Sequence, residues 1–309
     1  MPESGRSSAS SRPFVWLDVF TDRPLAGNGL AVVLDADGIA DETMLAFARE
    51  VGLSETTFVQ SAGPAPGEDA DPAAGPGSGA DYRNRIWTVS SEIPFAGHPS
   101  LGTAVAVAID RGLERAGFTQ QTGVGLQSVE AVVEGGGWRA SMSQPPADLG
   151  RIIRPEQAAA ALGLTVDLLD PELSPQIVST GLPALLVPVR DLDSLAGLEP
   201  DPGRFAAFEA GPALNVYPFV FERGSRTVRA RCFGADLAGI EDPATGSAAG
   251  PLVAYLQDCF DVDSIVVEQG VEMGRPSRIE ARMEGGHPRV SGAVAVVATG
   301  TVDLPGKTD

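Results

Sequence analysis

One local pattern occurs twice in this chain, and that recurrence limits the folds open to it more than any other feature. RIWTVSSEIPFAGHPSLGTAVAVAI, from Arg85, and RCFGADLAGIEDPATGSAAGPLVAYL, from Arg231, each read as a strand, a polar loop, a glycine and a helix of small apolar residues. The copies start about 150 residues apart, so each half of the chain is expected to reuse one supersecondary unit. The expected architecture is mixed α and β, with two duplicated lobes that direct two helix N-termini toward one cleft. Helix N-termini offer free N–H groups and the positive end of the backbone dipole, so a pair of them would hold a carboxylate.

At 309 residues the chain is long enough for two lobes, each with its own core. A net charge of -19 with no basic stripe argues against nucleic acid as a partner. No apolar run approaches the roughly 20 residues that span a bilayer, so no membrane partner is expected. Residues 1–12 are small and polar without an apolar segment; they read as a flexible tail, not a signal peptide, and the expected location is cytoplasmic.

Lys307 is the only lysine. Its place at the end of the chain removes Schiff-base, pyridoxal phosphate and P-loop mechanisms, each of which needs a lysine inside the fold. Cys232 and Cys259 are too far apart for a CxxC motif and read as buried small apolar residues. With His98 and His287 the only histidines, and no second ligand at metal spacing, no metal site is expected. Neither a dinucleotide fingerprint nor a GxSxG elbow is present, so no cofactor is assigned.

Strands are predicted at FVWLDVF from Phe14, GLAVVLDA, LSETTFVQ, RIWTVSSEIPF, SVEAVVEG, WRASMSQ and QIVSTGLPALLVPV. The spacing predicts an amphipathic helix over Asp41–Val51, with Asp41 as its N-cap and Gly52 as its stop. Further helices are predicted near Pro155–Leu162 and from about Ser100, just past His98. Residues 61–80 hold mostly Gly, Pro, Ala and acidic residues, which cannot offset their ordering entropy, and read as a mobile surface insertion.

Glu55 stands where a helix hands over to a strand, flanked by hydroxyls and then apolar residues. It is a candidate base, with a solvated strand-edge carboxylate as the plainer reading. His98, after Gly97 at a predicted helix start, is placed to meet an anion or simply to pack. Asp242, Thr245, Gly246 and Ser247 form a second cap-rich helix start, where glycine allows a ligand close to the backbone. Arg275, in MGRPSRI, reads first as part of a hairpin corner.

Taken together, DVFTDRPLAGNGLAVV, LSETTFV, PFAGHPSLGTA, STGLPALLVPV, EDPATGSAAGPL and QGVEMGRPSRI strongly resemble the phenazine-biosynthesis (PhzF-like) family, in family order, from Phe14 to the C-terminus. The resemblance implies an α+β fold similar to diaminopimelate epimerase. That fold has two pseudo-equivalent lobes, each a curved, mainly antiparallel sheet wrapped around a central helix. The N-terminal lobe is expected over 13–124 with the last strand, about 293–304, and the C-terminal lobe over 125–292.

Diaminopimelate epimerases use two cysteine bases, but the matching loops here contain none, which disfavours a two-thiol racemase. In the phenazine enzyme, the glutamate matched by Glu55 carries a proton between carbons of trans-2,3-dihydro-3-hydroxyanthranilate. The resemblance thus implies a cofactor-independent isomerase in which Glu55 is base and then acid on a small carboxylated substrate. His98 and Asp242 would bind its amino or hydroxyl groups. Gly97, Gly246 and Ser247 would hold its carboxylate, with Ser100 beside them. Gly29 stands where the family commonly has proline, and Ser100 where it has threonine, which bears on substrate identity. A homodimer is implied as well. Two alternatives stand beside this reading: an epimerase or racemase with Glu55 and Asp242 as opposed bases, and a non-catalytic ligand-binding or regulatory protein.

Overall fold

The computed structural model describes residues 9–63, 79–199, 215–234 and 241–305. Contacts divide the chain into two units, Met1–Leu25, Gly29–Ala140 and Val294–Asp309 in the first, Ala26–Asn28 and Ser141–Ala293 in the second.

In the first unit the chain forms β1 (Ala9–Val19), β2 (Asn28–Val33), α1 (Asp41–Val51), β3 (Glu55–Gln60), β4 (Tyr82–Trp87), β5 (Glu92–Ile93), α2 (Gly97–Asp110), β6 (Arg115–Thr122) and β7 (Gly125–Glu134). The end of the last strand, β17 (His287–Pro305), pairs with β1. From there the order runs β1-β2-β3-β4-β6-β7, with parallel pairs β2/β3 and β4/β6. Every residue of α2 from Gly97 to Ala108 is buried, because its small apolar sequence lets β1, β3, β4, β6 and β7 close around it. On the outer face α1 covers Phe58 and Trp87 with Met44 and Ala48, and Phe47 meets Phe14 and Phe58 edge-on. Covered on both sides, β3 is buried from Thr56 to Val59 and shows no polar alternation.

The chain continues through β8 (Gly137–Ser143) into the second unit. There it forms β9 (Asp148–Ile152), α3 (Pro155–Leu162), β10 (Gln176–Ser179), β11 (Pro183–Pro188), α4 (Leu192–Ala196), β12 (Asn215–Glu222), β13 (Thr227–Ala230), β14 (Phe233–Gly234), α5 (Gly246–Phe260), β15 (Ser264–Gln269) and β16 (Ser277–Glu284). The order is β9-β10-β11-β12-β13-β15-β16-β17, with parallel pairs β11/β12 and β13/β15. Buried α5 packs on β10, β11, β15 and β16. The outer face is closed by α3 and α4 through Leu162, Leu195, Val187 and Phe233.

The expected duplication is visible in this path. β2-α1-β3-β4-α2-β6-β7 and β11-α4-β12-β13-α5-β15-β16 place parallel and antiparallel neighbours in the same sequence. The fold is α+β, two pseudo-equivalent halves with a central helix in each.

Several local expectations differ from the structure. The N-cap of α1 is Ala40, because the Asp41 carboxylate is taken by Arg85 at 2.7 Å; Gly52 closes the helix in the left-handed region as expected. α2 starts at Gly97, not near Ser100: Pro99 fits the first turn, whose N–H groups need no helical partner. The assigned tail overlaps β1, whose first residues Ala9–Arg12 pair with Val302–Pro305. The first unit extends to Ala140 because β7 is paired with β6. Cys232 is buried, but Cys259 is exposed near the end of α5, and partial burial pushes its thiol up. Within the expected insertion, Ser61 bonds Asp37 and the Gly63 N–H bonds Gln121, while 64–78, like Lys307, lie outside the described residues.

Candidate active site

In the first unit Glu55 opens β3 and His98 is the second residue of α2. Glu55 Oε2 lies 3.5 Å from His98 Nε2, and their side chains are 17% and 6% exposed. A carboxyl and an imidazole therefore face each other at the first turn of a buried helix, with the positive end of its dipole beside the carboxyl. An Nε2–H imidazole donates to a carboxylate, and a bare Nε2 accepts from a carboxylic acid, so His98 can partner Glu55 in either protonation state. Gly97 is the first helical residue. Ser100 is turned inward: its hydroxyl is fully buried and donates to the Ala96 carbonyl at 2.8 Å. A cavity of about 560 Å³ in the same unit, walled in part by Arg83, Asn84, Pro94 and Gln121, includes none of these residues.

The second unit assembles a different set around the start of α5. Asp242 accepts from Asn28 Nδ2 at 2.8 Å on one oxygen and from the Thr245 hydroxyl on the other. Asn28 also donates to the Ala244 carbonyl, and its chain segment is held by Arg275, which donates to the carbonyls of Ala26 and Gly27. The hairpin corner expected at Arg275 is present and also serves this anchoring. Gln269, fully buried, donates to the Asp242 carbonyl and the Thr245 hydroxyl and accepts from the Thr245 N–H and Tyr217 hydroxyl. Burial holds the Tyr217 hydroxyl well above its ordinary range, so it remains a donor. Gly246 begins α5 and its carbonyl accepts from Gln144 Nε2 at 3.0 Å; Ser247 follows, part-buried.

Of the predicted residues, Glu55 and His98 come together in one unit, and Asp242, Gly246 and Ser247 gather at one helix start in the other. Asn28, Gln144, Gln269, Thr57 and Thr103 escaped notice in the sequence. Their partners are far away along the chain, and only the glycine-flanked position of Asn28 hinted at a special role. Among the described residues no cluster of three or more His, Cys, Asp or Glu side chains is placed to hold a metal.

The duplicated fold thus carries an acid-imidazole pair at one central helix and a hydrogen-bonded carboxylate at the other. Residues 17–302 match the model of the phenazine biosynthesis-like protein family. The chain is 35% identical over 297 residues to the trans-2,3-dihydro-3-hydroxyanthranilate isomerase of Pseudomonas aeruginosa, covering 95% of this chain and 98% of that one. Among solved structures, a phenazine biosynthesis protein of the PhzF family from Bacillus anthracis superposes with a TM-score of 0.80 at 28% identity, covering 95% of this chain and 99% of that one. A predicted epimerase from Pseudomonas aeruginosa superposes with a TM-score of 0.76 at 32% identity, covering 94% and 99%. The chain belongs to the PhzF-like family and is an isomerase.

Proposed function

We propose that the protein is a cofactor-independent isomerase in which Glu55 moves a proton between carbons of a small carboxylated substrate, similar in reaction to the dihydro-hydroxyanthranilate isomerase it matches. The observation that carries this reading is the approach of Glu55 Oε2 to His98 Nε2 in a part-buried setting. The Glu55 carboxylate takes a C–H proton, the electron pair shifts through the conjugated system, and the carboxylic acid returns the proton to another carbon. Atoms and electrons balance without a second reactant, and one group serves as both base and acid. His98 partners Glu55 in both states.

Asp242, Gly246, Ser247 and Gly97 are proposed as substrate-binding groups, by hydrogen bonds to its amino or hydroxyl group and its carboxylate. Both Asp242 oxygens accept hydrogen bonds, from Asn28 and Thr245, and this reading assigns Asp242 to substrate binding. Ser100 contributes through the helix start and not through a free hydroxyl. The same reading takes the enzyme as a cytoplasmic homodimer, which size-exclusion chromatography with light scattering checks.

The test is incubation with dihydro-hydroxyanthranilate and a panel of small amino and hydroxy acids in D2O, followed by NMR, beside Glu55→Gln. Deuterium should enter a substrate carbon with the native protein and not with the variant. Undiminished exchange by the variant would sink the assignment. Inversion at an α-carbon would mark an epimerase, and tight binding without exchange a binding protein.

A further inference from the structure

Glu55 and His98 stand on different elements, so their 3.5 Å approach depends on how β3 and α2 are seated against each other. Apolar burial alone sets that offset loosely, because the hydrophobic effect has no direction. A directional contact lies close by. Thr57 Oγ1 and Thr103 Oγ1 are 2.9 Å apart, and both residues are fully buried. Thr57 is two residues past Glu55 and shares its face of β3. Thr103 lies in the second turn of α2, the helix that carries His98.

Next to Thr103, Gly102 brings the helix hard against the sheet. A Cβ at Gly102 would fall 2.5 Å from Leu30 Cδ2 and 3.0 Å from Val19 Cγ2. The helix is therefore pressed onto the sheet at Gly102 and keyed to β3 at Thr103.

We infer that the Thr57–Thr103 hydrogen bond pins β3 to α2 in the offset that places Glu55 against His98, making both threonines positioning residues for the acid-base pair. This rests on Glu55 as the proton carrier. A valine at either position keeps the shape but leaves the other hydroxyl buried without this partner. Valine at both removes the two hydroxyls together, so neither is left buried without the other. Stability and positioning then separate, as they would not for a merely structural bond.

The experiment measures melting, substrate kinetics by D2O exchange, and the pH titration of the His98 imidazole by nitrogen NMR. Only one other histidine, His287, has to be told apart. Thr57→Val and Thr103→Val should each lower kcat about tenfold or more with KM nearly unchanged, and Thr57→Ser should restore most of the rate. The double valine variant should melt within about 2 °C of native, yet keep the rate loss. Its His98 titration should move toward that of Glu55→Gln. A double variant with native kcat and a native His98 titration would overturn the proposal. The titration reads the pin whether or not the protein turns over, whereas unchanged exchange by Glu55→Gln would strike the functional reading instead.

Discussion

Glu55 opens β3 in the first unit, and Asn215 opens β12 in the second at the same topological place, each facing the parallel strand before it. Two residues on, Thr57 reaches α2 directly, whereas Tyr217 reaches the start of α5 through Gln269 and Thr245. The second residue of the central helix is His98 in one half and Ser247 in the other. One backbone plan thus carries a pair of titratable groups in the first half and a neutral, hydrogen-bonded frame around one carboxylate in the second. Hydrogen bonds to a carboxylate favour its charged form, and both Asp242 oxygens accept them. Duplication supplies one scaffold, and the side chains at matching places differ between the halves.

If the second half owes its order to the Gln269 frame, Gln269→Leu should cost about 4 kcal/mol, because it leaves the Thr245 N–H and the Tyr217 hydroxyl buried without partners. Chemical denaturation checks this, and a loss below about 1 kcal/mol would remove the frame from the account. Next in size is Gly250→Ala, whose Cβ would fall 1.8 Å from Gln144 Oε1 and push that amide off Gly246 and Thr180. About 2 kcal/mol of destabilisation is expected, with some return from helix propensity, measured by the shift in melting temperature.

The tyrosines sharpen the contrast at smaller scale. Tyr217 donates to Gln269, while the Tyr82 hydroxyl of the first half is buried with no hydrogen-bond partner among the described residues. Tyr217→Phe should cost about 1 kcal/mol and Tyr82→Phe close to nothing, since it removes an unsatisfied group. Equal losses in denaturant titrations would erase the distinction.

Both tyrosines are also held by burial above their ordinary value of 10.0. In the unfolded chain they ionise near that value, so this stabilisation is full below about pH 10 and declines as pH rises above it. Melting curves from pH 8 to 11 should show that decline, and either phenylalanine variant should make it shallower.

Much of this arrangement was legible in the sequence. The helix Asp41–Val51 follows from its periodicity and glycine stop, a further helix was expected near Pro155–Leu162, and the twofold plan follows from the repeated strand, loop and small-residue helix. Glu55 and His98 were visible because each sits at an element start. What stayed hidden depends on long-range pairing: Asn28 and Asp242 are 214 residues apart, and Gln144 and Gly246 are 102 apart. Local pattern also misplaced the cap of α1, since the Arg85 that claims Asp41 arrives from β4. The strand at Ala9–Arg12 reads as tail because its order comes from β17 and from Arg12 bonding the Asp35 carbonyl.

The most direct test of the proposed roles compares Glu55→Gln with Asp242→Asn under one assay, measuring substrate affinity by calorimetry and carbon-bound deuterium by NMR. Glu55→Gln should bind substrate with nearly native affinity and lose exchange by about a thousandfold, in the range of a missing general acid-base group. Asp242→Asn should bind at least about tenfold more weakly while retaining exchange at saturation. If instead Glu55→Gln exchanges normally and Asp242→Asn does not, the proton carrier belongs to the second half and the account is wrong.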